Sequence, residues 1–119
     1  MSFRIKLFLF IFSIILLITL VILWINTEKK TYQPGISAEF DQAANQAQFI
    51  YRQAKKIGTD LKSGPCLTNA LMPGWVADLV HNPRIPTDDL PENQCSAYLQ
   101  GTAKHFVELD LEGNVIRVH

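Results

Sequence analysis

The sequence predicts an α+β protein: a single N-terminal transmembrane helix, then a small domain of one long amphipathic helix, a short helix and a C-terminal antiparallel β-hairpin. Three observations predict it. Leu7 to Ile25 is an uncharged apolar run, small and apolar residues recur at alternating spacings of three and four from Phe40 to Leu61, and an alternating strand pattern near the end is broken by Glu112-Gly113-Asn114.

The apolar run, LFLFIFSIILLITLVILWI, contains only Ser13 and Thr19 as polar residues. As a helix it reaches about 28 Å, close to the ~30 Å hydrocarbon core of a bilayer. A helix is required there because a lone strand in lipid leaves its amides unpaired. Trp24 stands at one end, where an amphipathic ring favours the headgroup level.

Residues 1–6 form a flank with Arg4 and Lys6, and Lys29 and Lys30 follow the span, offset in part by Glu28. Charge therefore gives only a slight bias toward a cytoplasmic N-terminus. The run is longer than a signal-peptide core, and Ile36-Ser37-Ala38 is a poor imitation of a cleavage site. The expectation is an uncleaved signal anchor in the cell membrane with an extracytoplasmic C-terminal domain, and either reading exports the domain. Residues 26–37, NTEKKTYQPGIS, are polar and broken by Pro34-Gly35, and read as a juxtamembrane linker that uncouples the anchor from the domain over 38–119.

Setting the span aside leaves roughly 85 residues, enough for one domain with a core that benefits from a staple. The net charge of zero hides an asymmetry: Arg52, Lys55, Lys56 and Lys62 are basic, whereas Asp88, Asp89, Glu92, Glu108, Asp110 and Glu112 make the C-terminal part acidic. Nucleic acid is disfavoured as a partner, since phosphate contacts need a basic surface.

Ser37 is a good N-cap, followed by Glu39 and Asp41 where the helix dipole favours anions. Phe40, Ala43, Ala47, Ile50, Ala54, Ile57 and Leu61 then form one apolar stripe, and Gly64-Pro65 ends the helix. The stripe reads as domain core or as a self-association seam that makes a homodimer.

Cys66 and Cys95, each beside turn-forming residues, are most simply a disulfide in an exported domain. Closing a loop of about 30 residues stabilises by roughly 3 to 4 kcal/mol on the chain-entropy argument. Between them, Pro73 opens a predicted short helix through Trp75, Val76, Leu79 and Val80, ending near His81. Prolines 83, 86 and 91 hold the following loop, HNPRIPTDDLPENQ, extended. That loop with Trp75 is the candidate partner surface, represented by Trp75, His81, Arg84, Asp88 and Asp89. Ser96 to Gln100 forms a brief helical or extended turn.

His105 to Leu111 alternates, Glu112-Gly113-Asn114 is a hairpin signal, and Val115 to Val118 returns. Val107, Leu109 and Leu111 face one side and Phe106, Glu108 and Asp110 the other. An isolated hairpin is marginal in water, so it is expected to pack on the Phe40 to Leu61 helix.

Candidate chemistry is sparse. Cys66 as nucleophile with His105 as base gives a membrane-tethered cysteine hydrolase as the alternative function. Its order, cysteine at the head of a helix and histidine entering a hairpin, looks like that of papain-like or transglutaminase-type hydrolases, but no nucleophile signature surrounds Cys66 and only His119 remains as an orienting residue. Cys66, His81, Cys95 and His105 have zinc-ligand atoms without the paired spacing that preorganises such a site, so no metal and no cofactor is expected. No Walker or dinucleotide fingerprint is present. The layout of apolar helix, amphipathic helix, hairpin and disulfide is similar to that of type IV pilins and pseudopilins. Their processing motif is absent, no acidic residue opens the span, and Pro34-Gly35 interrupts the long helix, so the similarity is one of layout. The leading expectation is a non-enzymatic binding or assembly module, anchored in the lipid bilayer, that engages another membrane or envelope protein.

Overall fold

A computed structural model describes residues 1–25 and 32–119. The chain forms two units, the first holding helix α1 and the second the elements from Tyr32 onward. Each is described by itself.

Helix α1 spans Phe3–Ile25 and is long and apolar enough to cross a membrane. Its Thr19 hydroxyl donates to the Ile15 carbonyl at 2.8 Å, which satisfies the hydroxyl within its own helix. Residues 26–31 of the expected linker lie outside the described residues.

The second unit is α+β. Helix α2 is Ala38–Lys56, followed by strands β1 (Cys66–Met72) and β2 (Trp75–Leu79), a 3-10 turn at Pro86–Asp89, the short helix α3 (Ser96–Leu99), and strands β3 (His105–Leu109) and β4 (Val115–Val118). The four strands form one mixed sheet in chain order: β1 and β2 antiparallel, β2 and β3 parallel, β3 and β4 antiparallel. A parallel pair needs a long crossover. Residues 80–104, with the proline-rich loop and α3, provide it.

The C-terminal hairpin is therefore present, but as half of a larger sheet. The segment expected to open a helix at Pro73 is instead a second hairpin, with Met72 paired to Trp75 across Pro73-Gly74. Proline presets the first corner residue of such a turn, and Gly74 has the φ of +79 that the next corner needs. Trp75 to Leu79 then alternates between two buried faces, which a short apolar run does not distinguish from a helix.

Helix α2 begins where expected. Ser37 caps it by accepting from the Phe40 N–H, and Lys55 and Lys56 close its last turn. It ends at Lys56 rather than Leu61. Ala43 and Ala47, both 0% exposed, bring α2 close to a sheet face made of Trp75, Ala77, Leu79, Val107 and Leu109. Phe40, Ile50 and Leu61 pack at its margin, Ala54 is half-buried and Ile57 is 80% exposed. The Trp75 indole donates to Glu39 at 3.1 Å, and its ring meets Phe40 edge-on.

The β3–β4 turn also fits α2 closely. The Tyr51 hydroxyl donates to the Leu111 carbonyl at 2.8 Å, and a Cβ on Gly113 (φ +91) would come within 2.3 Å of the Tyr51 ring. Asp110 holds the turn by accepting from the Glu112 and Asn114 amides.

Pro34-Gly35 does not swing free of the domain. The Gly35 N–H donates to the Asp41 carboxylate, the Tyr32 hydroxyl donates to the same carboxylate, and the Tyr32 N–H donates to the Ile116 carbonyl of β4. Burial, then the hydrogen bond to Asp41 and its charge, push the Tyr32 phenol up to about 12.

Candidate functional site

The face of the sheet turned away from α2 carries the chemistry. Alternation in β2 places Val76 and Asp78 on this side, and alternation in β3 places Phe106 and Glu108 beside them, with Asp78 opposite Glu108 in the parallel register. The crossover lies over part of this face. Cys95 at the head of α3 bonds to Cys66 at the start of β1, with an S–S distance of 2.07 Å. Asn69 on β1 accepts from the Ala97 N–H and so fixes the start of α3. Between crossover and sheet lies an open cleft of about 330 Å³, lined among others by Asp78, Arg84, Tyr98, Glu108, Arg117 and His119. That volume is in the range of small-ligand sites.

The two carboxylates on its floor have different surroundings. Glu108 accepts from Arg84 Nη1 at 2.6 Å, and from Arg117 through Nε at 3.0 Å and Nη2 at 2.9 Å. A fork of this kind is a strong charge-assisted pair. Arg84 in turn reaches Asp89 at 2.8 Å. Burial alone would lower the Arg84 guanidinium, but its bonds to Asp89 and Glu108 outweigh that and hold its pKa above the ordinary value.

Asp78 receives neither arginine. Its Oδ1 is buried without a hydrogen-bond partner. Burial first, and then the negative charge of Glu108, push its carboxyl up to about 7, while the Leu79 N–H and Arg84 pull only partly the other way. A carboxyl pushed toward neutral pH beside one bound by two guanidiniums is the arrangement by which sites separate proton-holding from charge-holding roles.

The rim is aromatic. Phe106 stacks with His119 at 5.4 Å, meets Tyr98 edge-on at 5.1 Å, and lies 4.7 Å from the Arg117 guanidinium.

The residues expected to form one partner surface are divided. Trp75 is 2% exposed and faces α2. Asp88 has a side chain with 0% exposure and is structural: it accepts from the His81 and Ile85 amides and pairs with His81 Nδ1 at 2.8 Å. Burial opposes its charge, but these hydrogen bonds keep its pKa below the ordinary value. Arg84 reaches the cleft, with Asp89 outside it. Cys66 and His105 are not brought together, since Cys66 pairs in register with Asp78 and His105 with Trp75, on which its ring stacks. Among the described residues no group of three or more His, Cys, Asp or Glu side chains could hold a metal ion.

The sequence reading missed Asp78, Tyr98 and Arg117 as site residues and used Glu108 only as surface charge. The available signal was the lone acid in Trp75-Val76-Ala77-Asp78-Leu79, a charge at a strand's inward position. No family model, curated protein or solved structure matches the chain.

Proposed function

We propose that this protein is a membrane-anchored recognition module whose exported domain binds a segment of another envelope protein in the cleft between the α3 crossover and the sheet. Asp78, which lines that cleft and whose Oδ1 is buried without a hydrogen-bond partner, carries the reading. A lone buried acceptor costs stability unless something outside the domain satisfies it. An apolar helix of membrane-crossing length supports anchorage, and the Cys66–Cys95 bond supports an oxidising compartment. The lining offers a binding surface rather than a nucleophile, which favours recognition over catalysis.

The test is a photo-cross-linking amino acid placed at Gln94, which lines the cleft, or at Phe49, which is exposed on α2, in full-length protein in intact cells. A discrete adduct from position 94 that is absent from position 49 is the expected result. No adduct at 94, or equal adducts at both, would overturn the proposal.

A further inference from the structure

We infer that the cleft receives a primary ammonium group, the class presented by a lysine side chain, with the Asp78 carboxylate as its principal acceptor. The inference deepens the recognition reading and rests on it. It follows from charge placement and shape. Both guanidiniums in the cleft are committed, Arg117 to Glu108 and Arg84 to Glu108 and Asp89. An anionic ligand would have to break those pairs. At Asp78 the negative charges of Glu108 and Asp88 oppose the positive charge of Arg84, so the field there favours a cation.

The form of the cation follows from the number of open acceptors. With one Asp78 oxygen buried, the carboxylate suits a compact point donor that needs a single acceptor, whereas a guanidinium fork asks for two parallel acceptors. Tyr98, Phe106 and Val76 line the approach and give an alkyl stem apolar and aromatic contact. The cleft's volume of about 330 Å³ admits a side chain, not a folded element.

Binding and proton release are coupled, because the cation pairs with ionised Asp78 and competes with its proton. The charged and titratable groups around Asp78 are Glu108 from β3, Arg117 and His119 from the β4 end, Arg84 and Asp88 from the crossover, and Tyr98 from α3. Of these, His119 is the imidazole on the cleft rim, and its substitution separates its contribution from that of Asp78.

The experiment uses the full chain in detergent micelles, with Asp78 observed by carboxyl ¹³C NMR. The probes are the peptide acetyl-Gly-Lys-Gly-amide, its Nζ-acetylated counterpart, cadaverine and acetate. The lysyl peptide should bind at least tenfold more tightly at pH 8 than at pH 5.5, lower the apparent titration midpoint of Asp78 by one unit or more, and keep both effects in His119→Gln. Asp78→Asn should reduce its affinity at least tenfold at pH 8 with an unchanged circular dichroism spectrum. Tighter binding of the peptide than of cadaverine places the ammonium on a polypeptide; the reverse places it on a free polyamine. Equal binding of the acetylated peptide, binding of acetate in preference to either amine, or an Asp78 midpoint unmoved by saturating peptide would each overturn the inference. If the amines fail while the position-94 cross-link persists in Asp78→Asn, only the ligand chemistry falls. If that cross-link never forms, the recognition reading falls with it.

Discussion

Asp78 and Glu108 are direct partners across the parallel β2–β3 pair, yet Glu108 is held by two arginines and Asp78 by none. Neighbouring strands are only about 4.8 Å apart, so the second carboxylate must be buried against the first without a counter-ion of its own. This asymmetry is a cost the fold carries at one point on one face. Such a point is where a bound group would contribute most.

A stability difference follows. The folded carboxyl of Asp78 sits at about 7 and the unfolded one near 3.8, so the folded state holds the proton more tightly. Its contribution is fully present below about pH 4 and is lost as pH rises through 7. Asp78→Asn keeps the shape and removes the charge, and should stabilise the protein at pH 8 by about 1 to 3 kcal/mol, with the gain shrinking to near zero by pH 4. Urea unfolding at the two pH values checks it. A variant less stable than the parent at pH 8 contradicts the assigned environment.

Asp88 has the opposite sign. Its hydrogen bonds from His81 and Ile85 depress its pKa, so its contribution is present above the unfolded value and is lost as pH falls through the lower folded one, below about pH 4. Asp88→Ala leaves two amides and the His81 ring without their acceptor, at a cost of about 3 kcal/mol. Thermal unfolding at pH 7 should show this loss, and the difference from the parent should narrow progressively as pH falls below about 4. Together the two aspartates set a stability maximum near pH 4, if other groups are held constant.

How much of this was legible in the sequence depended on period. Helix α2 was read correctly at its start because Ser37, Glu39 and the small-residue stripe all signal the same element, and the β3–β4 hairpin because Glu112-Gly113-Asn114 separates two alternating runs. Trp75-Val76-Ala77-Asp78-Leu79 was not, because strand β2 is covered on both faces and its apolar run has no clean alternation. Reading it as a helix gave Asp78 no role and hid the cleft. The second face of the sheet exists only through the parallel pairing across residues 80–104, a long-range contact that local patterning does not encode.

The disulfide bears on compartment and on the hydrolase alternative together. It joins the crossover to β1 over a separation of 29 residues, and its loss in a Cys66→Ser, Cys95→Ser double variant should cost about 3 to 4 kcal/mol. Hydrogen exchange should then rise first in α3, which the bridge and Asn69 hold to the sheet. Thiol trapping of protein taken from membranes should find neither cysteine free. Two free thiols would place the domain in a reducing compartment and revive Cys66 as a nucleophile.

The apolar stripe of α2 decides between core and self-association. Ala43 and Ala47 are fully buried against the sheet, so a larger side chain there has no space to enter. Ala47→Leu should destabilise by about 1 to 3 kcal/mol through overpacking, and sedimentation of the full chain in micelles should show an unchanged oligomeric state. Ile57 caps the end of the helix and is 80% exposed. Ile57→Asp should therefore leave stability within about 0.5 kcal/mol of the parent. If Ile57→Asp instead turns a dimer into a monomer, the end of the stripe is a seam between copies. Ala43 and Ala47 would remain core, and only the exposed end of the stripe would belong to the seam.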